Sequence, residues 1–190
     1  GGLPKNVWLH LTDKLYQTLP LYSNLKTTGV YIYAEDIRVK SRKAVIHAES
    51  EVRNEYRKKQ QVAYQVEIID RDGNLVKTMS GESITLQPGE TGVVKASAEV
   101  DNLHFWSWGY GYLYTVKTSL WINGKKTDEV ATRTGFRKTR FGNGKIWLND
   151  RVLQMKGFAQ RTSNEWPALG VSVPAWLSDY SNGLMVECNA

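Results

Sequence analysis

The sequence is poor in the residues that build disulfides and metal centres. It has one cysteine, Cys188, among 190 residues, which excludes an internal disulfide framework and a cysteine-based metal cluster. The three histidines, His10, His47 and His104, lie far apart and form no HxxxH or similar spacing. We therefore predict no metal and no cofactor. A lone cysteine in an apolar segment is more typical of a small buried residue than of a nucleophile.

Long apolar runs and leader features are also missing. No run of about 18 apolar residues occurs, so the sequence predicts no membrane-spanning segment and no membrane partner. Residues 1–6 lack the apolar core and the cleavage site of a signal peptide. The net charge of +6 favours anionic partners. The basic residues are scattered apart from those in 38–43 and 57–59, which we assign to solvated turns, so we predict no nucleic-acid partner.

What the sequence does contain is a repeated alternation of apolar and polar residues. This period of two is the mark of strands with one buried face. A further apolar segment, 30–37, precedes the alternating ones. The alternating segments are 44–52, 62–68, 94–100 and 114–122.

Turn-forming residues separate these segments. Asp72-Gly73 and Asn123-Gly124 suit the positive φ angles of type I′ hairpins. The sequence 87–90 forms a turn between two further short strands, and Asn149-Asp150 closes a tight hairpin of its own. Helical spacing begins only after Pro174. The sequence therefore predicts a mainly β chain: an immunoglobulin-like antiparallel β-sandwich followed by a hairpin and one helix.

Four segments resemble family 2 glycoside hydrolases, the β-galactosidase and β-glucuronidase group. The segment 6–12 is similar to the closing strand of that family's sugar-binding jelly-roll domain, and 112–116 to the last long strand of its immunoglobulin-like domain. The Thr-Gly-Phe-Arg sequence at 134–137 resembles the exit from that domain. The segment 147–157 resembles the hairpin that plugs the bottom of the catalytic (β/α)₈ barrel and then enters it.

The resemblance implies a division of the chain into three parts. Residues 1–26 would end the upstream sugar-binding domain and its linker, and residues 27–137 would form the immunoglobulin-like sandwich. Residues 138–190 would begin an incomplete catalytic barrel. The partners implied are other domains of the same chain and a carbohydrate, and the family's usual export implies a periplasmic or secreted location.

The resemblance also implies where the chemistry lies. Retaining glycosidases hold two carboxyl groups about 5–5.5 Å apart, one as acid/base and one as nucleophile. In this family they are glutamates on the fourth and seventh barrel strands, which we expect beyond Ala190. We therefore predict no catalytic residue in this chain, and a role as an interdomain spacer in an enzyme that hydrolyses β-galactoside-like glycosides.

A short polar stretch after the predicted hairpin holds the candidates for the rim of a substrate pocket. These are Arg161, Asn164, Glu165 and Trp166. Arg161 has a fork of donors suited to a sugar hydroxyl or carboxylate, or to a structural ion pair. Asn164-Glu165 matches the Asn-Glu pair of the family's acid/base, but it follows the barrel entry far too early to be that pair. A small self-contained enzyme using Glu165 with a second carboxylate is one alternative.

An aromatic cluster just before 112–116 supports two interpretations. Trp106, Trp108 and Tyr110 would either stack on sugars as a platform or pack against neighbouring domains. The platform interpretation favours a free-standing carbohydrate-binding or adhesive module as the alternative function. Two acidic pairs are more typical of solvated positions: Asp70 with Asp72, which lacks further oxygen ligands for calcium, and Glu35 with Asp36.

Overall fold

A computed structural model of the chain describes residues 7–20, 26–159 and 174–190. These residues form twelve strands and one helix. The strands are β1 (Leu15–Gln17), β2 (Val30–Arg38), β3 (Lys43–Asn54), β4 (Gln60–Ile69), β5 (Leu75–Ser80), β6 (Ile84–Leu86), β7 (Thr91–Val100), β8 (Tyr114–Ile122), β9 (Lys125–Thr134), β10 (Thr139–Gly142), β11 (Lys145–Leu148) and β12 (Arg151–Leu153), and the helix is α1 (Ala175–Glu187).

The first sheet is built around β3. Strand β7 pairs along one side of β3, with Ile46 opposite Ala98. Strands β1 and β2 share the other side, β2 along residues 43–50 of β3 and β1 along residues 52–54. All pairings are antiparallel. A bulge between Glu35 and Arg38 in β2, with Asp36 at a φ of 48°, interrupts the edge of this sheet.

The second sheet is built around β4 and β8. These two strands pair antiparallel, with Val66 opposite Thr118, and β9 continues the sheet beyond β8. On its other side, β4 pairs with β6 near its start and with β5 near its end. The two sheets pack face to face as a β-sandwich, which confirms the predicted fold class.

The core lies between the two sheets and follows from the alternation. In β3 every second residue is buried, and the residues between them are partly exposed. Strand β4 shows the same period from Gln60 to Ile68. Because successive side chains of a strand point to opposite faces, this pattern gives each sheet one apolar face. The largest fully buried side chains include Tyr64, Tyr114, Leu15, Ile46, Ile68, Leu103 and Leu120.

The turns agree with the sequence except at one position. Asn123 and Gly124 both have positive φ, as do Asn149 and Asp150, which is the geometry of a type I′ turn. The prediction of the same turn at Asp72-Gly73 is wrong, because only Gly73 has a positive φ. There the Asp70 carboxylate accepts hydrogen bonds from the backbone N–H groups of residues 72 and 74, and this side-chain bonding shapes a longer loop.

The region after the sandwich forms a second, smaller sheet. Strands β11 and β12 make the predicted hairpin, and β10 adds a third strand that the alternation did not reveal. Helix α1 begins directly after Pro174, as predicted, and Leu177 is its one buried residue. Cys188 at the end of this helix is exposed, so the prediction of a buried cysteine is wrong. Residues 7–12 belong to no strand, so the strand suggested by 6–12 is not formed in this structure.

Candidate functional site

The four predicted pocket-rim residues, Arg161, Asn164, Glu165 and Trp166, lie outside the described residues. The aromatic cluster is described in full and lies in the loop between β7 and β8. Trp106 is partly buried, whereas Trp108 is 65% exposed and Tyr110 is 40% exposed. The loop turns at Gly109, whose φ is 72°, and the backbones of Ser107 and Tyr110 bond to each other across the turn.

Both the backbone N–H group and the backbone carbonyl of Trp106 are hydrogen-bonded. Its N–H donates to the carbonyl oxygen of Phe136 at 2.8 Å, and its carbonyl accepts from the side-chain amide of Asn149 at 2.9 Å. The Asn149 side-chain oxygen also accepts from the backbone N–H of Lys138 at 3.0 Å. The guanidinium of Arg137 lies 5.3 Å from the centre of the Trp106 ring. We call this arrangement of Trp106, Phe136 and Asn149 the Trp106 clamp.

In the Thr-Gly-Phe-Arg segment, Gly135 and Phe136 both fit the packing around Trp106. A Cβ atom on Gly135 would lie 2.9 Å from both the Trp106 Cβ and the Tyr112 carbonyl oxygen, a distance at which neighbouring atoms must move. Phe136 is buried, and its ring lies 5.4 Å from that of Tyr114 in the core. The exit from the sandwich is therefore packed against the aromatic loop.

Trp106 and Trp108 line a groove that continues onto the small sheet. The groove has a volume of about 610 Å³, and β12 and the residues after it form its far wall through Val152 and Met155. The lining is mostly apolar, but Lys156, Asn189 and Ala190 also line the groove. Met155 is 73% exposed, so the groove is open to solvent. Tyr110 does not line it. The predicted three-residue platform is therefore split, with two tryptophans in the groove and the tyrosine directed elsewhere.

Tyr110 belongs to a separate cluster around His104. Arginine can only donate, so the 2.9 Å contact between Arg42 Nη2 and His104 Nε2 makes Nε2 an acceptor. The proton of a neutral imidazole then sits on Nδ1, which donates to the Tyr110 hydroxyl at 2.7 Å. The imidazole also stacks on Tyr112, with ring centres 4.6 Å apart. Burial, together with the charges of Arg42 and Arg71, lowers the pKa of His104.

At the opposite end of the chain, the entry to the sandwich is fixed by a buried polar network. The Gln17 side-chain oxygen accepts from Ser50 at 2.8 Å and from Thr118 at 2.6 Å. Its backbone N–H donates to Asp128 at 2.8 Å, and its side-chain nitrogen donates to the Thr118 carbonyl at 3.1 Å. Gln17 is only 4% exposed, and its partners come from both sheets. We call this the Gln17 network.

The Gln17 network extends to a buried tyrosine. The Ser50 hydroxyl donates its only proton to Gln17. The Tyr64 hydroxyl is therefore the donor in the 2.8 Å bond between Tyr64 and Ser50. Burial raises the pKa of Tyr64 to about 12. The network therefore joins β1 to β3, β4, β8 and β9 with every polar group of the Gln17 side chain bonded.

The acidic side chains of the described residues are not arranged as a metal site. Across residues 7–20, 26–159 and 174–190, no group of three or more histidine, cysteine, aspartate or glutamate side chains is arranged to hold a metal ion. Asp70 uses both carboxylate oxygens within its own loop, on the backbone of 72 and 74 and on the Asn74 side chain. In the same described ranges, no helix has the length and apolar character needed to cross a membrane.

The comparisons with known proteins agree with the place where the sandwich ends. The sequence profile of the family described as Glycosyl hydrolases family 2 matches residues 30–137, which is more than half of the chain. The chain belongs to glycosyl hydrolase family 2. The matched range begins at the first residue of β2 and ends at Arg137, directly after the segment that packs on Trp106.

Individual relatives of this family 2 chain share most of its length. It is 34% identical over 188 residues to a β-glucuronidase of Formosa agariphila, which covers 98% of this chain. It superposes with a TM-score of 0.83 on a structure of a β-glucuronidase from glycoside hydrolase family 2, at 31% identity over 92% of the chain. A putative β-galactosidase from Bacteroides fragilis superposes over 92% of the chain with a TM-score of 0.78 and 25% identity.

The relatives are much longer than this chain. It spans 19% of the Formosa agariphila protein, 18% of the β-glucuronidase structure and 25% of the β-galactosidase structure. The chain is therefore a β-glucuronidase-like domain of the family that corresponds to a fraction of these proteins.

The clustering of basic residues was not predicted from the sequence. The basic residues are not evenly scattered: residues 133–159 contain seven of the 25 lysines and arginines and only one of the 19 acidic residues. That excess of six equals the net charge of the whole chain. Counting charge in a moving window would have found it.

Proposed function

We propose that this chain is a non-catalytic spacer in a family 2 glycoside hydrolase that acts on β-glucuronide-like or β-galactoside-like glycosides. A spacer must fix the chain where it enters and where it leaves. The Gln17 network fixes the entry, and the Trp106 clamp fixes the exit. The observation that carries the proposal is that the entry is hydrogen-bonded to strands of the second sheet, and the exit to the loop before β8 and the hairpin of the small sheet.

The entry bond spans a long stretch of sequence. Gln17 bonds to Thr118 and Asp128, which are more than one hundred residues away. Because Thr118 and Asp128 are in the second sheet while β1 pairs in the first, a movement of residue 17 would break bonds to both sheets. Buried polar groups that lose their partners cost about 1–3 kcal/mol each. The entry is therefore stiff.

The exit is stiff for a similar reason. Trp106 and Asn149 are 43 residues apart, and their bond ties the loop before β8 to the hairpin of the small sheet. The 2.8 Å bond between Lys138 and Asp150 adds an ion pair at the same joint. The partners of such a spacer are the other domains of the same protein, and the carbohydrate is a ligand of the whole enzyme.

The experiment that tests the non-catalytic part is an assay of the 190-residue chain on 4-nitrophenyl β-D-glucuronide and 4-nitrophenyl β-D-galactoside. We expect release of nitrophenol at the rate of the blank. Saturable release that survives a second purification step would overturn the proposal. A Glu165→Gln variant is then the next measurement, because it separates a genuine active site from a contaminant.

The alternative, a carbohydrate-binding module, is favoured by the exposure of Trp108 in the apolar groove. Affinity electrophoresis in gels containing neutral galactan separates the two proposals. A spacer migrates unretarded, whereas a module that stacks sugars on Trp108 is retarded and loses this retardation in the Trp108→Ala variant. Tyr31→Ala is the control, since Tyr31 is also an exposed aromatic residue at 63% but lies on the first sheet.

A further inference from the structure

The loop between β7 and β8 is attached to the sandwich at its tip by a tyrosine. We call residues 107–111 the loop tip. The Tyr110 hydroxyl accepts a 2.7 Å hydrogen bond from His104 Nδ1. Among the described residues, this is the one hydrogen bond that joins a side chain of the loop tip to the rest of the protein. The position of the loop tip therefore depends on the state of His104.

The His104 imidazole makes one hydrogen bond with each ring nitrogen. Nε2 accepts from Arg42 Nη2 at 2.9 Å, and Nδ1 donates to Tyr110. The ring stacks on Tyr112, and the backbone N–H of His104 donates to the Tyr114 hydroxyl at 2.8 Å. Only a neutral imidazole can accept at Nε2, because a protonated ring carries a hydrogen on each nitrogen. Protonation would bring two donors and two positive charges together at the contact with Arg42.

The Arg42 guanidinium is fixed too firmly to move away from a protonated ring. Its Nε donates to the Leu103 carbonyl at 3.1 Å, and its Nη2 donates to the Asn102 carbonyl at 2.7 Å. The Arg42 carbonyl also accepts from the Leu103 N–H at 2.9 Å. Hydrogen bonds from a charged donor are stronger than neutral ones, such as the bond between His104 and Tyr110. The imidazole is therefore the partner that moves.

The other charged groups around His104 do not offset this repulsion. Burial lowers the pKa of His104 most, and Arg42 and Arg71 lower it further. Asp70 and Asp72 act in the opposite direction, each by less than either arginine. The surroundings of the ring as a whole thus favour the neutral imidazole.

We propose that His104 is a pH-sensitive latch for the loop tip. The neutral imidazole holds Tyr110 and keeps the loop tip against the sandwich. Protonation turns the ring away from Arg42, which breaks the bond to Tyr110 and releases the loop tip. This device goes beyond the spacer role. Every group in it lies within residues 30–137, the range that matches the family, so the latch needs no partner domain and no ligand.

The direction of the pH dependence follows because the neutral form is the latched one. The latch is complete above the pKa of an unperturbed histidine, about 6.5, and is lost as the pH falls through the lower value of the latched state. Trp106 should stay in place, because its backbone bonds to Phe136 and Asn149 involve no histidine. Trp108 lies in the loop tip and lines the groove, so acid should change the groove wall while the exit from the sandwich stays fixed.

The test is nuclear spin relaxation of the backbone amides of the 190-residue chain. The two conditions lie about one pH unit above and below the His104 pKa, which a titration of the imidazole supplies. We expect the order parameters of residues 108–110 to fall from about 0.85 to below about 0.6 as His104 is protonated. The order parameter of Trp106 should remain at about 0.85, which is the internal control against unfolding.

Three variants test the parts of the latch. His104→Gln keeps an acceptor for Arg42 and a donor for Tyr110 but cannot be protonated, so the pH-dependent change should disappear. His47→Gln is the matched control: it removes a histidine of the first sheet that faces Glu35 at 3.3 Å, and it should keep the wild-type change. Tyr110→Phe removes the hydroxyl, so its loop tip should already be mobile at the higher pH.

Four results would overturn the proposal. The first is a loop tip whose order parameters stay constant while His104 titrates. The second is a change that persists in His104→Gln or is absent from His47→Gln. The third is a rigid loop tip in Tyr110→Phe at the higher pH. The fourth is an equal loss of order at Trp106, which would mean that the whole joint unfolds.

Discussion

The side-chain amide of Asn149 donates a 2.9 Å hydrogen bond to the backbone carbonyl of Trp106. This bond joins the small sheet to the loop that precedes β8. Asn149 sits at a φ of 48°, a conformation that asparagine tolerates better than most residues. One residue therefore closes the β11–β12 hairpin and fixes the hairpin to the sandwich.

The first prediction concerns this bond. Asn149→Asp keeps the acceptor for Lys138 but replaces the donor with an oxygen that faces the Trp106 carbonyl. We expect a loss of about 1–3 kcal/mol in the free energy of unfolding of the small sheet, measured by hydrogen exchange at the Lys138 amide. The control is Asn143→Asp, at an exposed turn residue with a similar φ of 50°. It should change the free energy by less than about 0.5 kcal/mol; equal effects would contradict the clamp.

The second prediction concerns Gly135. In Gly135→Ala the new methyl group would press on the Trp106 Cβ and on the Tyr112 carbonyl, both 2.9 Å away. Overpacking of this kind costs about 1–3 kcal/mol, which urea unfolding measures. Gly157→Ala is the matched control, because nothing lies within 4 Å of a Cβ there. If the two variants unfold at the same urea concentration, the exit from the sandwich is not tightly packed.

The third prediction concerns Tyr64 at alkaline pH. The folded protein raises the pKa of Tyr64 to about 12, against about 10 for an unfolded chain. The folded state thus holds the proton more tightly, so its contribution to stability is complete below pH 10 and is lost as the pH rises towards about 12. The loss amounts to about 2–3 kcal/mol.

The measurement for Tyr64 compares urea unfolding at pH 8 and pH 11. Tyr64→Phe removes the titrating group, so its free energy of unfolding should fall less between these pH values than that of the wild type. Tyr31→Phe, at an exposed tyrosine, should keep the wild-type decrease. An identical decrease in Tyr64→Phe would show that the hydroxyl is not buried as described.

The fourth prediction concerns His104. Burial and the guanidiniums of Arg42 and Arg71 lower its pKa, so the neutral form is favoured in the folded state. This contribution to stability is complete above the unfolded pKa of about 6.5 and is lost as the pH falls through the lower folded value. Arg42→Gln removes one of the two cations and should raise the His104 pKa, measured by NMR titration of the imidazole.

The same NMR experiment reports the tautomer. We expect the proton on Nδ1, because Arg42 donates to Nε2. A wild-type imidazole with its proton on Nε2 would be incompatible with that contact, and a His104 pKa that does not change in Arg42→Gln would remove the assigned electrostatic cause.

The features that could be predicted from the sequence are those that depend on residues close together in the chain. The alternation in β3 and β4 depends on neighbouring residues and was enough to predict the sandwich. Strand β10 was missed because Arg140 and Phe141 are both exposed and give no alternation. At Asp72-Gly73 the dipeptide favoured a type I′ turn, but the Asp70 carboxylate imposed another loop.

The clamp and the network could not be predicted for a different reason. Trp106 was recognised as a functional candidate, but its bond to Asn149 joins positions 43 residues apart, and no local pattern carries that pairing. Gln17 lies in a three-residue strand without any motif. The split between Trp108 and Tyr110 likewise depends on His104, whose role as a partner is visible only in three dimensions.

The most direct test of the spacer account is hydrogen exchange at the backbone amides of Gln17 and Trp106 in the 190-residue chain. If entry and exit are fixed, both amides should exchange only through the unfolding that also exposes the amides of β4, with the same free energy of opening. Exchange of either amide at the rate of an unstructured peptide would contradict the account, because a sandwich with a loose end cannot hold its neighbours in a set orientation.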